Sequence, residues 1–183
     1  LAVAMLRDNP GSTILHNLIC SKAVPETISA HGGNPIRTRV GHSFIKTEMA
    51  ETNAVFGGEH SAHYYFADNF RADSGLIASL VMISELARSG STLSKMRIPF
   101  EPYVASGEIN TTVDDPTAVI DRVRESYRSA VVDELDGLTV DAGDWWFNLR
   151  PSNTEPLLRL NLEAQDSASC DEHVAKVLSI ITA

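Results

Sequence analysis

The chain is short of three things, and each shortage closes off a class of function. It has only 2 cysteines in 183 residues, Cys20 and Cys170, too few for a disulfide framework. One long-range bridge or two idle thiols remain open, and idle thiols in a reducing cytoplasm are the expected case. It has no apolar stretch of transmembrane length and no signal-peptide pattern, so neither a membrane span nor export is expected. Basic residues are also scarce: 15 Lys and Arg stand against 24 Asp and Glu, a net charge of −9. The imbalance is lopsided, +1 over residues 1–97 and −10 over residues 98–183. Such an acidic second half repels nucleic acid and anionic lipid surfaces, both of which need clustered cations. There is no Asp-x-Asp-x-Asp run, no repeat and no low-complexity tract.

What is present is an ordinary globular composition, 43% hydrophobic, with two textures. In the first, helical and strand patterns alternate: a helix end over 1–7, a strand over 13–19, a helix over 24–30, a strand over 36–40, a helix over 43–51 with Phe44, Ile45 and Met49 inward, and a strand over 54–56. A helix over 75–88, capped by Asp73 or Ser74, follows. Alternation of this kind predicts a parallel sheet whose ligands sit beyond the carboxyl ends of its strands. A Gly-, Ser- and Pro-rich stretch around 89–105 breaks the pattern. We place a domain over 1–97, a hinge over 98–107 and a second domain over 108–183. The second domain reads as strands over 108–113, 138–141, 144–149 and 157–162, with a helix from Pro116 behind Asp115 and another behind the capping box Ser169–Glu172.

Two loops carry the chemistry. Gly57–Phe66, GGEHSAHYYF, sets Glu59 and Ser61 as acceptor and donor beside His60 and His63, a grouping suited to sugar hydroxyls and proton transfer. A plain strand-to-loop turn with solvated side chains would look the same. Leu149–Arg159, LRPSNTEPLLR, offers guanidinium forks at Arg150 and Arg159 and small donors at Ser152, Asn153 and Thr154, a set suited to a phosphate dianion. Here the bland alternative is a hairpin whose arginines pair with nearby acids. His60 and His63 lack further ligands at zinc-like spacing, so no metal is expected on this chain.

Together and in this order, Gly58-Glu59-His60-Ser61 and Arg150-Pro151-Ser152-Asn153-Thr154-Glu155-Pro156 resemble the α-D-phosphohexomutase family, most closely its phosphomannomutase branch. Val40-Gly41-His42-Ser43-Phe44-Ile45-Lys46 is similar to the family segment that precedes the sugar loop. The resemblance covers nearly the whole chain and implies the third and fourth domains of such an enzyme: a three-layer α/β/α domain, then a small α+β domain with an antiparallel sheet and two helices. It implies that Glu59 and Ser61 grip sugar hydroxyls and that Arg150, Ser152, Asn153, Thr154 and Arg159 hold a phosphate. Lys46 either contacts phosphate or solvates its helix. His63 and His42 would handle protons, with helix capping the alternative for His42. Asp73 reads as a cap, and Glu155 as an arginine partner or a loop brace. Trp145 and Trp146 either stack on a sugar or fill a core. Many relatives have a basic residue where this chain has Ile19, and Lys22 is the candidate to replace it.

The family's phosphoserine loop and magnesium loop have no counterpart here. The resemblance therefore implies that Mg2+ and the phosphoserine belong to N-terminal domains outside this chain, which alone is expected to be inactive. The implied reaction interconverts mannose 1-phosphate and mannose 6-phosphate through a hexose 1,6-bisphosphate. Dual mannose/glucose activity, or a non-catalytic sugar-phosphate-binding module, are the alternatives.

Overall fold

The computed structural model describes residues 1–152 and 155–183. They form two units, Leu1–Pro102 and Tyr103–Ala183.

The first unit runs α1 (Ala2–Asp8), β1 (Thr13–Asn17), α2 (Ala23–Ala30), β2 (Asn34–Thr38), α3 (His42–Thr52), β3 (Phe56–Gly58), β4 (Tyr64–Phe66), β5 (Ala72–Asp73), α4 (Gly75–Ser89) and α5 (Leu93–Arg97). Its sheet has the order β2-β1-β3-β4-β5. The expected parallel pairing holds for β1 with β2 and β3, but β4 and β5 add antiparallel edges, so the sheet is mixed. These two strands span only three and two residues, too short to show an alternating pattern. Pleating sends Ile14, Phe56 and Phe66 to one face, where Leu6, Ile28 and Ala78 of α1, α2 and α4 cover them. Leu15 and Tyr65 point to the other face, against Ile45 and Met49 of α3. This is a three-layer α/β/α arrangement.

Phe44 departs from its expected inward position: it is 42% exposed, and its ring lies 4.5 Å from the Arg39 guanidinium carbon. Of the two proposed caps on α4, Ser74 is the one that accepts from the Ile77 amide, at 3.2 Å, which leaves Asp73 available elsewhere. Only Ala78 of α4 is buried, and Leu76, Leu80 and Ile83 face outward. No single helix among the described residues is long and apolar enough to cross a membrane.

The second unit runs β6 (Val104–Thr112), α6 (Pro116–Ser126), β7 (Val131–Asp133), β8 (Leu138–Asp141), β9 (Trp145–Pro151), β10 (Leu157–Ala164) and α7 (Ser167–Ile181). The sheet is antiparallel throughout, in the order β6-β10-β9-β8-β7. Strand β6 starts four residues before the expected 108, because Val104 and Ala105 already pair with Ala164 and Glu163. The Ser169 capping box is not used. Asp166 caps α7 instead, accepting from the Ser169 amide at 2.9 Å, so the helix begins two residues before that Ser. One core joins Val123 of α6 and Val177 of α7 to Phe147, Leu149, Leu158 and Leu160 on the sheet. Full burial of each large side chain is worth roughly 1.5–3 kcal/mol before entropic costs. Trp145 lies in this core, stacked on His173 at 4.0 Å. Trp146 is buried too and donates from Nε1 to Glu163 Oε2 at 2.8 Å. Core filling therefore accounts for Trp145, while Trp146, the next residue on β9, lies on the opposite face of the sheet and is held there by Glu163.

Candidate functional site

The sugar-type loop leaves the carboxyl end of β3, where an open sheet presents ligand sites. Gly57 is a packing glycine: a Cβ there would lie 3.1 Å from Ile45 Cγ2, so its absence lets α3 settle close to the sheet. The turn after Gly58 is closed by the Ala62 amide donating to the Glu59 carbonyl at 3.0 Å. The Glu59 amide donates to the His63 carbonyl at 2.9 Å. Ser61 and His63 are exposed on this turn, whereas Glu59 is only 6% exposed.

The orientation of Glu59 is the main departure from a simple sugar grip. Its Oε1 accepts from the Tyr65 hydroxyl at 2.6 Å. Its Oε2 accepts from the Gly41 amide at 3.0 Å and from Asn17 Nδ2 at 3.4 Å. Asn17 Oδ1 in turn accepts from the His60 amide at 3.4 Å and the Cys20 thiol at 3.1 Å. One buried carboxylate thus ties together the end of β1, the middle of β4 and the start of α3, the helix that carries His42 and Lys46. Burial pushes the Tyr65 hydroxyl far up, and its bond to the Glu59 carboxylate adds to the rise. Sequence reasoning missed Asn17 and Tyr65, because both read as ordinary strand residues.

His63 Nδ1 lies 2.9 Å from Asp73 Oδ2, so the residue read as a helix cap is a histidine partner. That hydrogen bond holds the Asp73 carboxyl below the usual carboxylate range, and the charge of His42 pulls in the same direction. A carboxylate can only accept, so the His63 ring donates to Asp73 from Nδ1, and its Nε2 is the nitrogen turned away from that partner. His42 is the first residue of α3 and is exposed, as is Lys46 one turn further on. Ile19 is buried in the first unit and Lys22 stands at the N-cap of α2. No disulfide joins Cys20 and Cys170.

In the second unit the phosphate-type loop joins β9 to β10. Register places Arg150 directly opposite Arg159. Gly137, with φ of +75°, sits so close to this strand that a Cβ would collide with the Leu149 carbonyl and the Arg150 Cβ. Glu108 of β6 bridges the two cations: Oε2 lies 3.2 Å from Arg150 Nη2 and Oε1 2.9 Å from Arg159 Nη1. Arg159 Nη2 also reaches Ser152 Oγ at 3.5 Å. The acid that pairs with the arginines is therefore Glu108, while Glu155 is exposed. Asn153 and Thr154 lie outside the described residues.

Comparison with known proteins decides the family. The model for the phosphoglucomutase/phosphomannomutase alpha/beta/alpha domain III matches residues 1–103, and that for the C-terminal domain matches residues 108–180. The chain belongs to the phosphoglucomutase/phosphomannomutase family. It is 40% identical over 181 residues to a phosphomannomutase of Methanocaldococcus jannaschii, covering 99% of this chain and 40% of that protein. It is 40% identical over 168 residues to a phosphomannomutase of Escherichia coli K12, covering 90% and 37%. A crystal structure of a family protein from Burkholderia thailandensis superposes with a TM-score of 0.82 at 27% identity, covering 99% of this chain and 40% of that one. The chain thus spans about 40% of the length of the relatives it matches.

Among the described residues, no group of three or more His, Cys, Asp or Glu side chains could hold a metal ion. The magnesium implied by the family does not fit the described residues of this chain.

Proposed function

We propose that this chain is the sugar- and phosphate-binding half of a phosphomannomutase that interconverts mannose 1-phosphate and mannose 6-phosphate through a hexose 1,6-bisphosphate. The observation that carries the reading is the coincidence of two constellations in a chain whose relatives are named phosphomannomutases. One is the His63–Asp73 pair beside a braced hydroxyl-facing turn; the other is the arginine pair on β9 and β10.

In this reading Ser61 meets the sugar hydroxyls, and Glu59 holds the turn in the shape that presents them. His63, oriented by Asp73, takes the proton from the attacking sugar hydroxyl at Nε2 as the sugar oxygen bonds to phosphorus, and releases it to the serine oxygen that departs as its bond to phosphorus breaks; His42 supports it from the head of α3. The loop from Arg150 to Thr154 and Arg159 holds whichever phosphate is not reacting, with Lys46 a further phosphate contact. Because the bisphosphate must present either end, the holder has to be indifferent to sugar direction. The phosphoryl-carrying serine of the reaction would come from residues outside this chain.

The test is kinetic, on the full-length protein. Arg150→Ala should raise KM about 100-fold for mannose 1-phosphate and mannose 6-phosphate alike, the size expected from losing a charge-assisted phosphate contact, with kcat little changed. A rise for one substrate only would contradict a shared phosphate holder, and absence of mutase turnover in the unaltered protein would overturn the reading.

A further inference from the structure

Glu108 lies outside both signature loops, yet it occupies the centre of the arginine pair. Like charges placed directly opposite on neighbouring strands destabilise a sheet, and the register of β9 and β10 puts Arg150 opposite Arg159. On the other side of β10, Arg159 pairs with Asn110 of β6. Glu108 is two residues from Asn110 and so projects from the same face of β6. Its carboxylate gives one oxygen to each guanidinium. That is the bridging pattern a phosphate would adopt with the same two cations.

The arrangement leaves little spare capacity in the pair. The Arg150 and Arg159 side chains are 12% and 29% exposed, and Glu108 is 28% exposed. The Nε atoms of both arginines are buried without a hydrogen-bond partner, so the outer Nη groups are the ones a ligand can share. A phosphate approaching them meets a carboxylate already bonded to the same donors.

We infer that Glu108 is a resident counter-anion of the phosphate site, one that competes with substrate phosphate for Arg150 and Arg159 and so keeps binding weak enough to reverse. The inference rests on the reading of this loop as a phosphate holder. Its chemical sense is release. An intermediate that must let go and turn around is poorly served by two uncompensated guanidiniums, whereas a tethered carboxylate restores neutrality as the phosphate departs. The alternative role for Glu108, a brace that aligns the arginines, makes the opposite prediction for affinity.

The experiment is a titration of the 183-residue chain with inorganic phosphate and with mannose 6-phosphate, following the arginine Nε resonances by NMR. The chains compared are the unaltered one, Glu108→Gln, Glu108→Ala and the double variant Glu108→Gln/Arg150→Ala. Removing one nearby, partly exposed like charge should tighten phosphate binding about fivefold in both single variants, and the double variant should lose the gain. Unchanged or weaker binding in Glu108→Gln and Glu108→Ala, with the unaltered chain still binding through Arg150 and Arg159, would overturn competition and leave the phosphate reading standing. Absence of phosphate binding in every chain would overturn both. Glu108→Gln keeps the shape of the side chain, so a preserved melting curve separates an affinity change from a folding defect.

Discussion

Each unit has a carboxylate at the middle of its candidate site, and the two are used in opposite ways. Glu59 is enclosed, and both its oxygens accept from groups that cannot leave: the Tyr65 hydroxyl, the Gly41 amide and the Asn17 amide. Glu108 is partly open to solvent, and its partners are two cations that have every reason to accept another anion. A buried acceptor serving three donors is a structural staple, because removing it strands each donor away from water. An exposed acid between two arginines is a placeholder, because water and ligand can both replace it. The same functional group therefore fixes one loop and tunes the other.

The sharpest way to break this contrast is to delete each carboxylate and compare unfolding. Glu59→Ala should cost the first unit roughly 3 kcal/mol, since it leaves buried donors unsatisfied. Glu108→Ala should cost the second unit less than about 1 kcal/mol, the usual range for a partly exposed ion pair. The chain carries its own reporters for the comparison. Both tryptophans, Trp145 and Trp146, lie in the second unit, so their fluorescence follows that unit while far-ultraviolet circular dichroism follows both. Glu59→Ala should shift the dichroism transition in urea and leave the fluorescence transition in place; a common shift, or a larger loss from Glu108→Ala, would erase the distinction.

A pH series sharpens the same point at a site beside the staple. His16 precedes Asn17 on β1, is 5% exposed and donates from Nδ1 to the Asn17 carbonyl. Burial pushes its pKa from 6.5 down to about 4, and the charge of Arg37 pulls the same way. The sign follows from proton uptake: below 6.5 the unfolded chain binds a proton that the folded one refuses until about 4. Stability is therefore complete above pH 6.5, falls as pH drops between 6.5 and about 4, and levels off below. The full swing is roughly 3 kcal/mol. His16→Gln should flatten that part of the profile, and a variant with the slope intact would assign it to another group.

Much of this was legible in the sequence where chemistry and spacing coincide. Both loops could be read from their donors and glycines, and β1, α3, α6 and the paired strands β9 and β10 from apolar periodicity. What escaped depends on contacts across strands. Tyr65 and Asn17 are unremarkable in a strand pattern, and only the closeness of β1, β3 and β4 brings them to Glu59. Asp73 stood where a helix cap belongs, yet Ser74 took the cap and freed Asp73 for His63. Glu108 lies far from Arg150 in the chain, and nothing short of the β6-β10-β9 register predicts their meeting. Phe44 differs for a local reason: helical phase alone makes it inward, whereas its ring lies at the surface against the Arg39 guanidinium.

The smallest expected effect tests how much of the sugar-type turn is held by its backbone rather than by Glu59. Ala62 sits at φ of +64°, in the left-handed region that costs an L-residue roughly 1 kcal/mol. Glycine would remove that strain but would add chain entropy to the unfolded state, offsetting part of the gain. Ala62→Gly should therefore raise stability by about 0.5 kcal/mol, measured by urea denaturation of the first unit. Because the Glu59 carboxylate fixes the turn from beneath, the variant should leave KM for mannose phosphates unchanged in the full-length protein. A raised KM with undiminished stability would show that the strained alanine, and not the buried carboxylate alone, sets the shape that Ser61 and His63 present.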